Sequence, residues 1–233
     1  MQFYKLKGGN IMSKQKKKRF IIFFIFIVIG IGVCFIYNTR IFQRTSAKRL
    51  ENKYEKEITP YVSKLDADKD GVDDQTDILQ SVLAYIETNP RYKSKYYSSG
   101  YSNDCYGVCT DVVANGFLGA GYDLRSMVQE DISAHPEDYD IKEADLNIDF
   151  RRVKNLKVFF TNHAQNLTTD VHDIEEWQGG DIVIFENHIG IVSDHRNENG
   201  VPYVIHHNDP YQKSYEEDML ETREDIVGHY RFQ

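Results

Sequence analysis

The chain has 233 residues, 41% hydrophobic and 27% charged, with a formal net charge of −8. This composition excludes a disordered tail, a collagen-like repeat and a polytopic membrane protein, and it leaves room for one ordinary domain with appendages. Residues 1–37 hold seven basic side chains and no acid, so taking those charges off the total leaves the remainder near −15, which argues against a nucleic-acid-binding surface.

From Phe20 to Tyr37 the chain runs for 18 residues without a charge. A membrane-crossing helix needs roughly 20 residues at about 1.5 Å each. The flank from Lys14 to Arg19 is basic, and such flanks stay in the cytoplasm. The expected order is therefore a basic cytoplasmic N-terminus (1–19), an uncleaved single-pass transmembrane anchor (20–37) and a C-terminal part outside the cell. A cleaved signal sequence would carry a shorter apolar core of about 7 to 15 residues and a small-x-small site, and neither is present. Lys7 to Met12 reads as the translation of a purine-rich run of the kind that precedes a bacterial start codon, so Met12 is the expected start. Residues 38–65 are polar and densely charged, and read as a stalk.

Residues 66–77, DADKDGVDDQTD, place Asp66, Asp68 and Asp70 at alternate positions. Gly71 follows for the sharp turn, Val72 can offer its carbonyl, Asp74 stands ninth and Asp77 twelfth. This is the oxygen-ligand spacing of a calcium loop, similar to EF-hand-like, dockerin and thrombospondin type 3 loops, and a structural Ca²⁺ is expected there.

Ile78, Leu79, Val82, Leu83 and Ile86 recur at helical spacing and predict a helix over 74–89, closed by Asn89-Pro90. After a Tyr/Ser/Gly-rich loop, a second helix is expected from Cys109 through Val112, Val113 and Phe117 to Gly119 or Gly121. Weaker helical patterns cover 124–132 and 150–162. The period then changes: 181–186, 188–194, 202–208 and 225–232 are β-branched or aromatic runs separated by turns. Helices first and strands later predict an α+β domain over 74–233 with an antiparallel sheet.

Cys109 opens an apolar helix, where free amides and the helix dipole are expected to lower its pKa. His188 opens a strand and is followed by the small Gly190, so it can face a helix-borne cysteine as general base. On the next run, His206 or His207 can orient that base, and alternation decides which of the two shares its face. The amide of Cys109 is the expected oxyanion donor. Cys105, four residues before Cys109, can pair with it in a strained disulfide that would switch the nucleophile off. Trp177 is expected at the entry of the sheet, packed or exposed for stacking on a sugar.

The segments GVCTDVV, EDI, NIDFRRVKNLKVFF, WQGGDIVIF, HIGIVSD, VIHHN and GHYR resemble the bacterial domain-of-unknown-function family numbered 1287, over about residues 74–232. Cysteine at a helix start, then a Gly-Asp strand running into HIGIVSD, then a polar residue on the neighbouring strand, is similar to the NlpC-type branch of the papain-like cysteine peptidases. That resemblance implies a papain-like fold and an amidase or peptidase acting on cell-wall peptides, commonly at γ-D-glutamyl linkages. It implies Cys109 as nucleophile, His188 as base and His206 as third residue. Asp111, Asp149, Arg151 and Asp194 also fall in family motifs, as supporting residues or as caps and ion pairs. Two rivals remain open: an acyltransferase or lipid amidase using the same site, and a catalytically silent, calcium-stabilised module that binds cell wall.

Overall fold

In a computed structural model, residues 14–41 and 45–233 are described, with side chains for 15–36 and 45–233. Helix α1 (Lys14–Ile41) belongs to an N-terminal unit that is separate from the rest of the chain. Within it Gln15–Ile36 is long and apolar enough to cross a membrane, a signature shared by an anchor and a signal sequence. Its large apolar side chains from Phe20 to Ile36 are exposed, so the helix has no protein core to bury them in. The expected start at Met12 lies outside the described residues, whereas the basic flank from Lys14 to Arg19 forms the first turns of α1.

In the second unit, helix α2 (Asp74–Glu87) is followed by the short strands β1 (Arg91–Tyr92) and β2 (Tyr106–Gly107), then by helices α3 (Cys109–Gly119), α4 (Leu124–Ala134) and α5 (Val153–His163). The strands β3 (Gln165–Asn166), β4 (Ile182–Phe185), β5 (Ile189–Arg196), β6 (Pro202–Ile205), β7 (Glu216–Glu217) and β8 (Ile226–Arg231) complete the domain. These six form one antiparallel sheet in the order β3-β8-β4-β5-β6-β7, while β1 and β2 pair in parallel as a separate ribbon. The fold is mixed α+β with an antiparallel sheet, as the change of period predicts.

Local chemistry sets the helix starts. The Asp73 carboxylate caps α2 by accepting from the Thr76 N–H, and Asp123 caps α4 by accepting from Arg125 N–H. Helices α2 and α3 approach closely because Gly116 has no side chain: a Cβ there would lie 2.6 Å from Val82 Cγ2. All four residues of β4 are buried. Ile182 and Ile184 join the helices in the main core, and Val183 and Phe185 meet Trp177, Val192, Val204 and Leu220 on the other face. A strand covered on both faces reads as an unbroken apolar run, which is why Asp181 to Glu186 shows no alternation.

Two features depart from the sequence reading, and a third settles a choice it left open. The described part of the expected stalk, residues 45–65, is an extended strap along the domain: Ser46 N–H donates to Lys213 O, Lys53 N–H to Arg196 O, Tyr61 N–H to Gln178 Oε1 and Ser63 N–H to Asp73 Oδ1. The helix expected over 150–162 is split, with a single 3₁₀ turn at Asp149–Arg151 before α5. That turn rotates Arg151 inward to reach Asp111. The ring of Trp177 is fully buried and stacks on His229 at 3.7 Å between centroids, which is the packed one of its two expected placements and leaves no face for a sugar.

Candidate active site

Helix α3 begins at Cys109, with Val108 extended before it. This start is fixed from its first turn, because the Asp111 carboxylate accepts the N–H of Val108 at 2.8 Å. Arg151 holds that carboxylate with two parallel bonds, Nε to Oδ1 at 2.9 Å and Nη2 to Oδ2 at 2.8 Å, and both side chains are about 2% exposed. Arg151 also donates from Nη1 to Lys95 O and lies over the Tyr97 ring. Asp111 and Arg151 therefore fix the start of the helix that carries the cysteine.

Cys109 is partly buried at this helix start, with the backbone N–H groups of Ile189, Thr110 and Cys109 itself near its thiol. Ile189, the first residue of β5, directly follows His188, so the strand that runs beside the cysteine is entered through that histidine. The thiol pKa nevertheless runs opposite to the sequence expectation. Burial pushes it up to about 11, with the Asp111 charge adding to the rise, and the amides offset only part of that. The dipole argument omits the cost of burying a thiolate.

His188 is buried against Phe185, and its Nε2 lies 2.8 Å from Nδ1 of His206. Gly190 allows this approach, since a Cβ there would lie 3.2 Å from His206 Cβ and 2.5 Å from Val204 Cγ1. His206 Nε2 in turn lies 3.2 Å from Glu217 Oε2 on β7. Gln212 Nε2 lies 2.7 Å from Ser214 O, 3.2 Å from His206 O and 3.3 Å from His206 Nε2, while Glu217 can only accept, so the tautomer with its proton on His206 Nε2 is the one that satisfies the carboxylate. His206 Nδ1 then accepts from His188 Nε2–H, and the lone pair of His188 is left on Nδ1. Burial, then the neighbouring His206, lowers the His188 pKa to about 3, so its imidazole is neutral at physiological pH.

Of the adjacent pair, it is His206 that meets His188. His207 is fully buried on the other face between Tyr92 and Tyr215, with ring centroids 5.3 and 5.0 Å away, and neither of its nitrogens has a hydrogen-bond partner. Asp194 is not in this cluster: it pairs with Arg49 of the strap. Asp149 accepts the N–H of Asp145 and pairs with Arg152. The Gly-Asp motif is structural, because buried Asp181 is saturated by Gln75, Gln178 N–H, His229 and Arg231. Cys105 is exposed, and both it and Cys109 are free thiols. Glu217 was missed in the sequence, where it is one of many acids; only its two-residue strand brings it to His206. Asp66, Asp68 and Asp70 converge at the far end of α3 from Cys109.

The fold and site define a mixed α+β domain carrying a partly buried cysteine and a buried histidine relay, preceded by one apolar helix. Residues 79–232 match the family described as Domain of unknown function (DUF1287), and the chain belongs to that family. It is also similar to the uncharacterized protein YijF of Escherichia coli (strain K12), 35% identical over 162 residues that cover 66% of this chain and 77% of the relative. No solved structure matches the chain.

Proposed function

We propose that this protein is a cysteine hydrolase of papain-like type that cleaves an amide bond, with cell-wall stem peptides as its substrate class. The observation that carries the reading is the buried His188–His206–Glu217 relay, set at the entry to the strand whose first backbone amide lies near the Cys109 thiol. In this reading His188 Nδ1 takes the thiol proton as Cys109 Sγ attacks the scissile carbonyl carbon. The oxyanion is met by backbone N–H groups at the start of α3. The C–N bond breaks, the leaving amine takes the proton from His188, and a thioester remains. Water, deprotonated by the same imidazole, releases the acid and restores the thiol. A neutral thiol beside a neutral imidazole makes proton transfer part of the attack rather than a step before it.

Arg91, Lys93 and Lys95 line the Tyr106 ring at 5.5, 5.3 and 5.1 Å, next to the segment leading into Cys109. On an acidic domain this cationic edge suits a substrate bearing carboxylates, as stem peptides do. The basic flank of α1 supports an anchor with its N-terminus in the cytoplasm and the catalytic domain outside, where that polymer lies. The test is digestion of purified peptidoglycan by the wild type and by Cys109→Ala, with fragments identified by mass. Release of peptides with new termini by the wild type alone supports the reading. Equal inactivity of both toward peptidoglycan, together with no labelling of Cys109 by a thiol-directed acylating probe, overturns it in favour of a silent module.

A further inference from the structure

The acidic loop ahead of α2 is separate from the cysteine and histidine cluster. Its backbone turns back on itself at Lys69 and Gly71, with φ of 63° and 96°. The turn lets Asp70 N–H and Gly71 N–H donate to the Asp66 carboxylate, while Val72 N–H donates to Asp70 at 2.8 Å. The result brings one carboxylate oxygen from each of Asp66, Asp68 and Asp70 within 4.8 Å of the others.

Three exposed acids on a loop do not make a site, but Asp77 points to one. Asp77 lies one turn into α2 and is only 7% exposed, and its Oδ2 is buried without a hydrogen-bond partner. The charges around it are those of Asp70, Asp68, Asp74 and Asp66, and no ion pair neutralises any of these acids among the described residues. A buried carboxylate oxygen without a partner, beside other carboxylates, is half of an arrangement whose other half is a cation. Asp74, the expected ninth ligand, is turned away from the loop's interior towards α3: it accepts the Tyr122 hydroxyl, and its other oxygen accepts Ala67 N–H.

We propose that Asp66, Asp68, Asp70 and Asp77 bind one Ca²⁺, and that the ion fastens the loop to α2 and to the C-terminal end of α3. Hard oxygen donors of flexible number suit Ca²⁺ over softer metals. The α3 side of the clamp is already built. A Cβ on Gly121 would touch Asp68 at 3.0 Å, and Tyr122 bonds Asp74. The ion therefore locks the helix pair that carries Cys109, without entering its chemistry.

The test uses the full chain in detergent, stripped with a chelator, titrated with CaCl₂ by calorimetry and melted with and without the ion. One Ca²⁺ per chain is expected. At about a hundredfold excess over the dissociation constant, Tm should rise by roughly 5 to 10 °C. Asp77→Asn should weaken binding at least about tenfold and, by removing the buried repulsion, melt higher than the stripped wild type. Asp68→Asn, at an exposed position, should also weaken binding without disturbing the fold. Absence of a calorimetric signal and of a Tm shift in the wild type overturns the proposal. So does unchanged binding in both variants, or an equal response to MgCl₂.

Discussion

Nε2 of His188 lies 2.8 Å from Nδ1 of His206, and the other nitrogen of His206 reaches Glu217 at 3.2 Å, so a carboxylate at the end of the relay bears on the proton positions of both rings. Under the proposed function this order would make His206 and Glu217 positioning residues and His188 the base.

His188→Ala should therefore lower the rate of Cys109 acylation by about 10² or more, the usual scale of a lost general base. Glu217→Ala frees the His206 tautomer but leaves the ring in place, so a smaller loss of about tenfold is expected, with Glu217→Gln largely restoring the rate through its amide oxygen. His207→Phe should leave the rate near wild type. A rate in His206→Ala equal to wild type, with His207→Phe impaired, would assign the third role to the wrong histidine.

The pH dependence follows from two opposed shifts. The Cys109 thiol is pushed up to about 11 by burial and His188 down to about 3 by burial, so between those values both are neutral. Alkylation of Cys109 by iodoacetamide, followed by mass, should climb steadily from pH 7 towards 11 and show no inflection near the ordinary imidazole value of about 6.5. A plateau above pH 6 would mean a preformed thiolate–imidazolium pair, contrary to this geometry.

Arg151 and Asp111 form a two-bond ion pair with both side chains about 2% exposed. Arg151→Met strands the Asp111 carboxylate in the core, and breaking such a pair costs about 3 to 5 kcal/mol. Denaturant unfolding should show a loss of that size. Asp111→Asn with Arg151→Met should recover part of it, because no charge is then left alone. Additive losses in the double variant would mean the two side chains act independently.

Most of the secondary structure was legible because single elements carried their own signals. The spacing of Ile78, Val82 and Ile86, the apolar start at Cys109 and the β-branched runs of β4 and β5 each specify an element locally. What stayed hidden depends on long-range pairing. The strap lacks a period of its own and is held by donors such as Arg49 and acceptors such as Glu216 that are 167 residues apart. The choice between His206 and His207 turns on register, which the sequence leaves open and Gly190 settles by allowing β6 to approach. The expected fall of the Cys109 pKa failed for the same reason, since burial by β5 is a tertiary effect that no helix-start rule contains.

The strap sets where a soluble fragment can begin. Arg49 bonds Glu216 and Asp194, the Leu50 N–H donates to Glu216, and Ser63 N–H donates to the cap of α2. Glu216 is 1% exposed, so removing Arg49 leaves a buried charge without its cation. A fragment starting at residue 66 should melt well below one starting at residue 45, and Arg49→Ala in the longer fragment should reproduce part of the drop. Equal melting of the two fragments would return residues 45–65 to the role of a passive tether.

His207 gives the domain an acid limit. Its ring is fully buried, both nitrogens lack partners, and burial with the neighbouring His206 lowers its pKa to about 4, while Asp209 pulls weakly the other way and Tyr92 and Tyr215 pack on the ring without bonding it. Its folded pKa lies below the unfolded value of about 6.5, so the unfolded chain binds the proton first. The stability that comes from keeping the ring neutral is present above pH 6.5 and drains away as pH falls towards 4, by up to about 1.4 kcal/mol for each unit crossed. His188, lowered to about 3, acts in the same direction and extends the loss to lower pH. Denaturation midpoints measured from pH 7.5 to 4 should fall along this limb. His207→Phe, which keeps the ring contacts and removes the titrating group, should flatten its upper part, and an unchanged slope in that variant would place the acid sensitivity elsewhere.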